Sequence, residues 1–227
     1  MDHSTYVLTV VCLPRDTPTR ESRDLTEHAI ARLADATWER WTAAPAPHFT
    51  ITTRLRRGKL LQPWQNSAAG GPVKLLALDA MRVEARNRFW HRWNVWSQVV
   101  AGTPTAQPFW MFHNRHLLNP HKYPLATAQE QYLAQPRITA MRTYNALPNK
   151  IMELQTGHLE AFQAGGNTYA HLGWLTALPG TAFVDVDGAF QSSSGDRLTE
   201  RLQYLQDTNR HIDALRAGDY LVALLAR

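Results

Sequence analysis

A stretch of 26 residues in the middle of the chain, 75–100, contains neither proline nor glycine. Proline and glycine are the residues that most strongly disfavour a helix interior, so this stretch predicts one long helix of about seven turns. Strand-like runs lie at both ends of the chain, at residues 6–13 (YVLTVVCL) and 220–225. The chain must therefore place a long helix between strand-forming ends, which predicts the α+β class.

The first third of the chain predicts a strand, a helix and a hairpin. Pro14 ends the first strand, and Asp24 with Glu27 forms a capping-box pattern before a helix with an apolar residue at every fourth position. The alternating run 48–55 predicts a second strand, followed by a turn at 56–59, a short partner strand at 60–64 and a loop at 65–72.

The rest of the chain predicts helices and then a return to strands. Four prolines make residues 103–124 irregular, and 126–163 predicts two or three shorter helices broken near Pro136 and Pro148. Residues 169–178 and 181–190 read as strands joined at Pro179-Gly180. A leucine-striped helix then begins near Ser194 or Asp196, and Gly218 separates it from the last strand.

Without its middle, the chain has the order βαββαβ, which is the ferredoxin-like split βαβ arrangement. We therefore predict an α+β fold with ferredoxin-like βαββαβ sheet elements and a large helical insertion. The predicted parts are an N-terminal ferredoxin-like part (1–74), the helical insertion (75–165) and a C-terminal part that completes the sheet (166–227). The alternative is a helical protein with a small sheet.

The composition indicates a globular protein with a polyanionic partner. The chain is 44% hydrophobic and 19% charged, with a formal charge of +5. It has no apolar run long enough to cross a membrane and no signal-peptide core, so we expect a cytoplasmic protein with no membrane partner. Its single cysteine, Cys12, lies in the first apolar run and excludes an internal disulfide.

The positive charge is concentrated between residues 48 and 92. Only Asp79 and Glu84 oppose nine cations there: Arg54, Arg56, Arg57, Lys59, Lys74, Arg82, Arg86, Arg88 and Arg92. A glycine-containing turn and a helix carry most of these cations, and both arrangements suit phosphate groups.

These two elements predict a site for structured RNA. The candidate RNA-binding residues are Arg54, Arg56, Arg57 and Lys59 in the turn, and Arg82, Arg86, Arg88, His91 and Arg92 on the helix. Phe89, Trp90, Trp93 and Trp96 on the same helix are candidates for base stacking. The alternatives are a solvated hairpin tip, a solvated charged helix face and a tryptophan-rich core face.

Catalytic signals are sparse, and no cofactor or metal is expected. The chain has no Walker-type loop, no Gly-x-Gly-x-x-Gly and no His-Glu-x-x-His. His113, His116 and His121 fall in the predicted irregular segment without a zinc-like spacing, and Asp185 and Asp187 would share one face of a strand. They support a metal-dependent hydrolase only as an alternative.

A ferredoxin-like chain of this size with a basic helical element resembles the RNA-binding subunits of CRISPR systems, the repeat-associated mysterious proteins (RAMPs). The inserted helical part is similar to that of the guide-RNA-processing endoribonuclease of type IV systems. Many members carry a glycine-rich loop near the C-terminus, where this chain has only scattered glycines between residues 172 and 195.

The resemblance implies metal-independent cleavage of precursor guide RNA beside a repeat hairpin, by attack of a ribose 2′-OH on the adjacent phosphate. His28, on the first helix, is the candidate base, and Arg23 and Arg32 are candidates for stabilising charge. The expected partners are the repeat hairpin and other subunits of a ribonucleoprotein complex. A non-catalytic subunit of such a complex and a DNA-binding protein are the alternatives that keep a nucleic-acid ligand.

Overall fold

The fold is taken from a computed structural model that describes residues 6–19, 21, 23–39, 41–52, 57–195 and 197–227. Over these residues the helices are α1 Asp24–Thr37, α2 Leu78–Val99, α3 Phe109–Leu118, α4 Leu125–Leu133, α5 Pro136–Asn145, α6 Leu159–Gln163, α7 Gly166–Thr176 and α8 Leu198–Asp213. The strands are β1 Val7–Leu13, β2 Ala43–Pro45, β3 Phe49–Thr50, β4 Ser67–Ala68, β5 Gly70–Pro72, β6 Ala182–Val184, β7 Phe190–Ser192 and β8 Tyr220–Ala226. This content confirms the α+β class.

Two compact units make up the chain, and their boundaries fall within α2 and α7. The sheet unit comprises Met1–Ala85 and Trp174–Arg227, and the helical unit comprises Arg86–Gly173. The predicted insertion, 75–165, overlaps the helical unit. No helix among the described residues is both long and apolar enough to cross a membrane.

β1 forms the centre of the main sheet, whose strand order is β2-β8-β1-β6-β7. It pairs along its whole length with antiparallel β8, from Val7 opposite Ala226 to Leu13 opposite Tyr220. Both strands are nearly continuous apolar runs, as expected of strands that are covered on both faces. The α1 stripe of Leu25, Ala29 and Leu33 is buried against this sheet, which confirms the predicted first strand, helix and last strand.

The ferredoxin-like spatial arrangement is not confirmed. Residues 169–178, predicted as a strand of the βαββαβ order, lie mainly in α7, and the strands β2 to β5 follow α1 in the chain. In a split βαβ unit another strand lies between the two parallel strands, whereas β6 here pairs directly and in parallel with β1. Gly180 permits this pairing: the Thr181 amide donates to the Leu8 carbonyl over 2.7 Å, and a Cβ on Gly180 would lie 2.1 Å from that oxygen.

Several local predictions were wrong. Residues 169–178 lie mainly in α7, because a short apolar run is compatible with a buried helix as well as a strand. The predicted hairpin at Pro179-Gly180 is replaced by the β6–β7 hairpin. The predicted irregular segment contains α3, which begins immediately after Pro108 and so avoids proline in its interior.

The predicted hairpin at 48–64 also differs from the structure. Residues 53–55 of the first predicted strand lie outside the described residues, and its described part, 48–52, contains the short strand β3. Residues 60–64 form only isolated bridges, at Leu61 and Trp64. The predicted loop at 65–72 instead contains β4 and β5, which pair with β3 and β8. The sequence Ala-Ala-Gly-Gly has a low strand propensity, so tertiary pairing outweighs propensity here.

Candidate nucleic-acid interface

The formal charge of the chain resides entirely in the helical unit. The sheet unit contains sixteen Lys and Arg and sixteen Asp and Glu, whereas the helical unit contains eight and three, giving it a formal charge of +5. Clustered positive charge on one structural unit is the electrostatic footprint of a protein that binds a polyanion.

Most cations of the helical unit are exposed to solvent. Among the described residues, no carboxylate lies within 4.0 Å of the six exposed side chains. These six cations, which we call the helical-unit cations, are Arg86, Arg88, Arg115, Lys122, Arg142 and Lys150. Their charge is therefore available to an external anion.

The basic helix α2 divides its predicted RNA-binding residues between surface and interior. Arg86, Arg88 and His91 are exposed, as predicted for side chains that reach a ligand. Arg92 is half-buried with its guanidinium 5.4 Å from the centre of the Phe89 ring. Only part of the predicted set thus faces solvent.

Arg82 is not available to RNA, so its predicted role needs correction. It is 5% exposed, and its Nη2 donates to Asn209 Oδ1 and to Asp213 Oδ1, each over 2.7 Å. The guanidinium also lies 4.2 Å from the centre of the Trp174 ring. A buried guanidinium needs such partners, and here they occupy it within the sheet unit.

The aromatic residues of α2 mostly form the core of the helical unit, which was the alternative interpretation. Trp96 stacks on Phe162 at 5.0 Å between ring centres, and Trp93 Nε1 donates to the Phe162 carbonyl over 3.0 Å. Trp90 keeps 42% of its surface exposed. A Cβ on Gly166 would lie 2.7 Å from the Trp90 ring, so glycine is needed there for α7 to approach it.

The predicted basic turn is described only in part. Arg54 and Arg56 lie outside the described residues. Arg57 and Lys59 belong to a 3-10 helix, and Lys59 is exposed.

Two of the three predicted catalytic residues line one groove. His28 and Arg32 border a groove of about 370 Å³ together with Asp16 and Asp35, whereas Arg23 is exposed and pairs with Glu21. Arg32 donates to the backbone carbonyls of residues 185 and 186, so its guanidinium holds the β6–β7 turn.

His28 places one ring nitrogen against a backbone carbonyl. Its Nε2 lies 2.9 Å from the Pro18 carbonyl oxygen, which can only accept, so in the neutral imidazole Nε2 carries the hydrogen and Nδ1 is the acceptor. The carboxylates of Asp16 and Asp35 in the same groove oppose a phosphate there.

Three residues of the metal-site alternative, His113, His116 and Asp185, make other contacts. No three metal-ligating side chains come together among the described residues. His116 Nδ1 lies 3.0 Å from the Tyr123 carbonyl, and His113 stacks on Phe109. Asp185 is 3% exposed and lies in the β6–β7 turn, where its Oδ1 accepts from the amides of residues 187 and 189.

The predicted RNA-binding residues do not include Arg115, Lys122, Arg142 and Lys150, which lie beyond the segment 48–92 where the cations are densest in the sequence. The sequence contains a signal for this wider basic surface, because residues 85–129 contain no Asp or Glu.

Comparisons with protein-family models, with curated proteins and with solved structures found no match.

Proposed function

We propose that this protein binds structured RNA through the cationic surface of its helical unit. The observation that carries the proposal is the set of helical-unit cations, which are exposed and have no carboxylate partner among the described residues, on a unit with a charge of +5. Arginine forks bind phosphate oxygens in pairs, and each neutralised phosphate releases counterions.

The finer identity of the ligand rests on the resemblance to RAMP proteins. The basic helical element and the βαββαβ order predicted from the sequence are the features that suggest a guide-RNA repeat hairpin as ligand and a place in a CRISPR ribonucleoprotein complex. Metal-independent cleavage would use His28 Nδ1 to take the proton of the attacking 2′-OH. The sheet pairing differs from the ferredoxin-like arrangement that this family implies.

A non-catalytic RNA-holding subunit is the second candidate, and the groove beside His28 favours it. That groove contains Asp16 and Asp35, and its Arg32 is engaged with backbone carbonyls. A site that must stabilise a dianionic phosphorane needs free cations. The RNA-binding surface serves both candidates equally.

The binding proposal is tested with a fluorescently labelled hairpin RNA in a salt titration. We expect Arg86→Glu/Arg88→Glu to weaken binding about tenfold or more near 0.1 M salt, and to lower the slope of log Kd against log salt by about two. The matched control is Arg210→Glu/Arg227→Glu, which makes the same change of net charge on exposed positions of the sheet unit. Equal weakening by both variants would overturn the proposal, and so would an unchanged affinity in the first.

Two further arms separate the alternatives. Incubation without metal, with a matched RNA carrying 2′-deoxy substitutions, distinguishes cleavage from holding. Competition with a DNA hairpin of the same sequence separates an RNA-binding protein from a DNA-binding protein.

A further inference from the structure

Trp90 differs from the other aromatic residues of α2 in its exposure to solvent. It is 42% exposed, whereas Phe89 and Trp93 are half-buried and Trp96 is buried. Exposure of this size is unusual for the largest apolar side chain. The structure thus reduces the four predicted stacking residues to one whose ring an external ligand can reach.

The indole of Trp90 is held in place by packing within the helical unit. Its ring stacks on that of Trp93, with 5.8 Å between the ring centres and 23° between the planes. Trp93 is itself fixed, because its Nε1 donates to the Phe162 carbonyl over 3.0 Å. A Cβ on Gly166 would lie 2.7 Å from the Trp90 ring and 2.9 Å from the Trp93 ring, so α7 packs closely against both. The exposed part of Trp90 can therefore receive a second ring at little cost in conformational freedom.

A cation and a polar amide lie next to Trp90 on the same helix. Arg86 is four residues before Trp90 and Asn87 is three residues before it, and residues with these spacings are neighbours on a helix surface. Both side chains are exposed, and no carboxylate of a described residue lies within 4.0 Å of the Arg86 guanidinium. All three residues belong to the helical unit. A nucleotide that stacks on Trp90 can thus place its phosphate against a guanidinium and the edge of its base against an amide.

We infer that Trp90 stacks on an unpaired base of the bound RNA, beside a phosphate that Arg86 contacts. An indole plane stacks on any unpaired nucleobase, whereas the bases inside a duplex already stack on one another. This inference rests on the proposed RNA binding and narrows the ligand to an RNA with an unpaired nucleotide. An exposed tryptophan also suits a protein interface, but residues 85–129 contain no Asp or Glu, which favours a phosphate-bearing partner.

The experiment uses three RNAs that share one duplex. The first is blunt, the second has a short single-stranded 3′ overhang, and the third has the same overhang with abasic sites, which keep the phosphates but lack the bases. We expect the wild type to bind the overhang RNA about tenfold more tightly than the abasic RNA. Trp90→Leu should lose this preference and bind the blunt and abasic RNAs as the wild type does. Trp90→Tyr keeps an aromatic plane and should retain most of the preference.

Two controls accompany these measurements. Trp38→Leu changes a tryptophan of the sheet unit that is 92% exposed, and it should keep the tenfold preference. Circular dichroism checks that each variant is folded, because Trp90 also packs on Trp93. Quenching of tryptophan fluorescence by the overhang RNA should be greater in the wild type than in Trp90→Tyr, and equal quenching in the two proteins would count against stacking.

The outcomes separate this inference from the binding proposal. Equal affinity of the wild type for the overhang and abasic RNAs overturns the stacking role without any variant, and so does a preference that survives in Trp90→Leu. In either case, a blunt-duplex affinity that still falls in Arg86→Glu/Arg88→Glu leaves the binding proposal intact. A wild type that binds none of the three RNAs overturns both and favours a protein partner for the exposed indole.

Discussion

Replacing Arg82 by leucine tests whether this arginine stabilises the fold or binds RNA. The substitution removes two hydrogen bonds of 2.7 Å, to Asn209 and Asp213, and the contact with the Trp174 ring. Asp213 is 53% exposed on its side chain and can turn to water, but Asn209 is 3% exposed and its Oδ1 would lose its donor. A hydrogen bond from a charged group contributes about 1.5–3 kcal/mol, and a cation–π contact about 0.5–2 kcal/mol.

We therefore expect Arg82→Leu to lower the free energy of unfolding by about 3 kcal/mol, measured by urea titration with far-UV circular dichroism. Its affinity for hairpin RNA, measured below the unfolding transition, should match the wild type. Arg86→Leu, four residues further along α2 and exposed, should show the opposite pattern, with a stability change within about 0.5 kcal/mol and weaker RNA binding. The reasoning fails if Arg82→Leu costs less than about 1 kcal/mol while RNA affinity falls.

Two more predictions concern the sheet unit. Gly180→Ala should destabilise the protein by about 2 kcal/mol in the same urea assay, because its Cβ would lie 2.1 Å from the Leu8 carbonyl oxygen, whereas Gly157→Ala, which meets open space, should be nearly neutral. Burial lowers the pKa of His48, although its hydrogen bond to the Leu178 carbonyl acts in the opposite direction. As the pH falls below about 6.5, His48 is therefore protonated in the unfolded chain before it is protonated in the folded protein, which favours unfolding. The thermal midpoint should therefore fall between pH 7 and pH 5, less steeply in His48→Gln; parallel curves for the two proteins would contradict this.

The candidate interface shows which surface residues the sequence pattern predicts and which it does not. The sequence identified α2 as basic, and Arg86, Arg88 and His91 are indeed exposed. It could not distinguish Arg82 from Arg86, because both are arginines on one helix. Asn209, which accepts a hydrogen bond from the buried Arg82, lies 127 residues away along the chain.

The sequence by itself determined the α+β class, the buried strands β1 and β8, the amphipathic helix α1 and the long helix α2. These elements follow from periodicity and from the absence of proline and glycine, which are local properties of the chain. The tertiary structure alone decided that β6 pairs in parallel with β1, that residues 169–176 are helical, and that Arg82 is buried while Arg86 is exposed. These outcomes depend on contacts between segments far apart in the chain, where packing and backbone clearance outweigh local propensity.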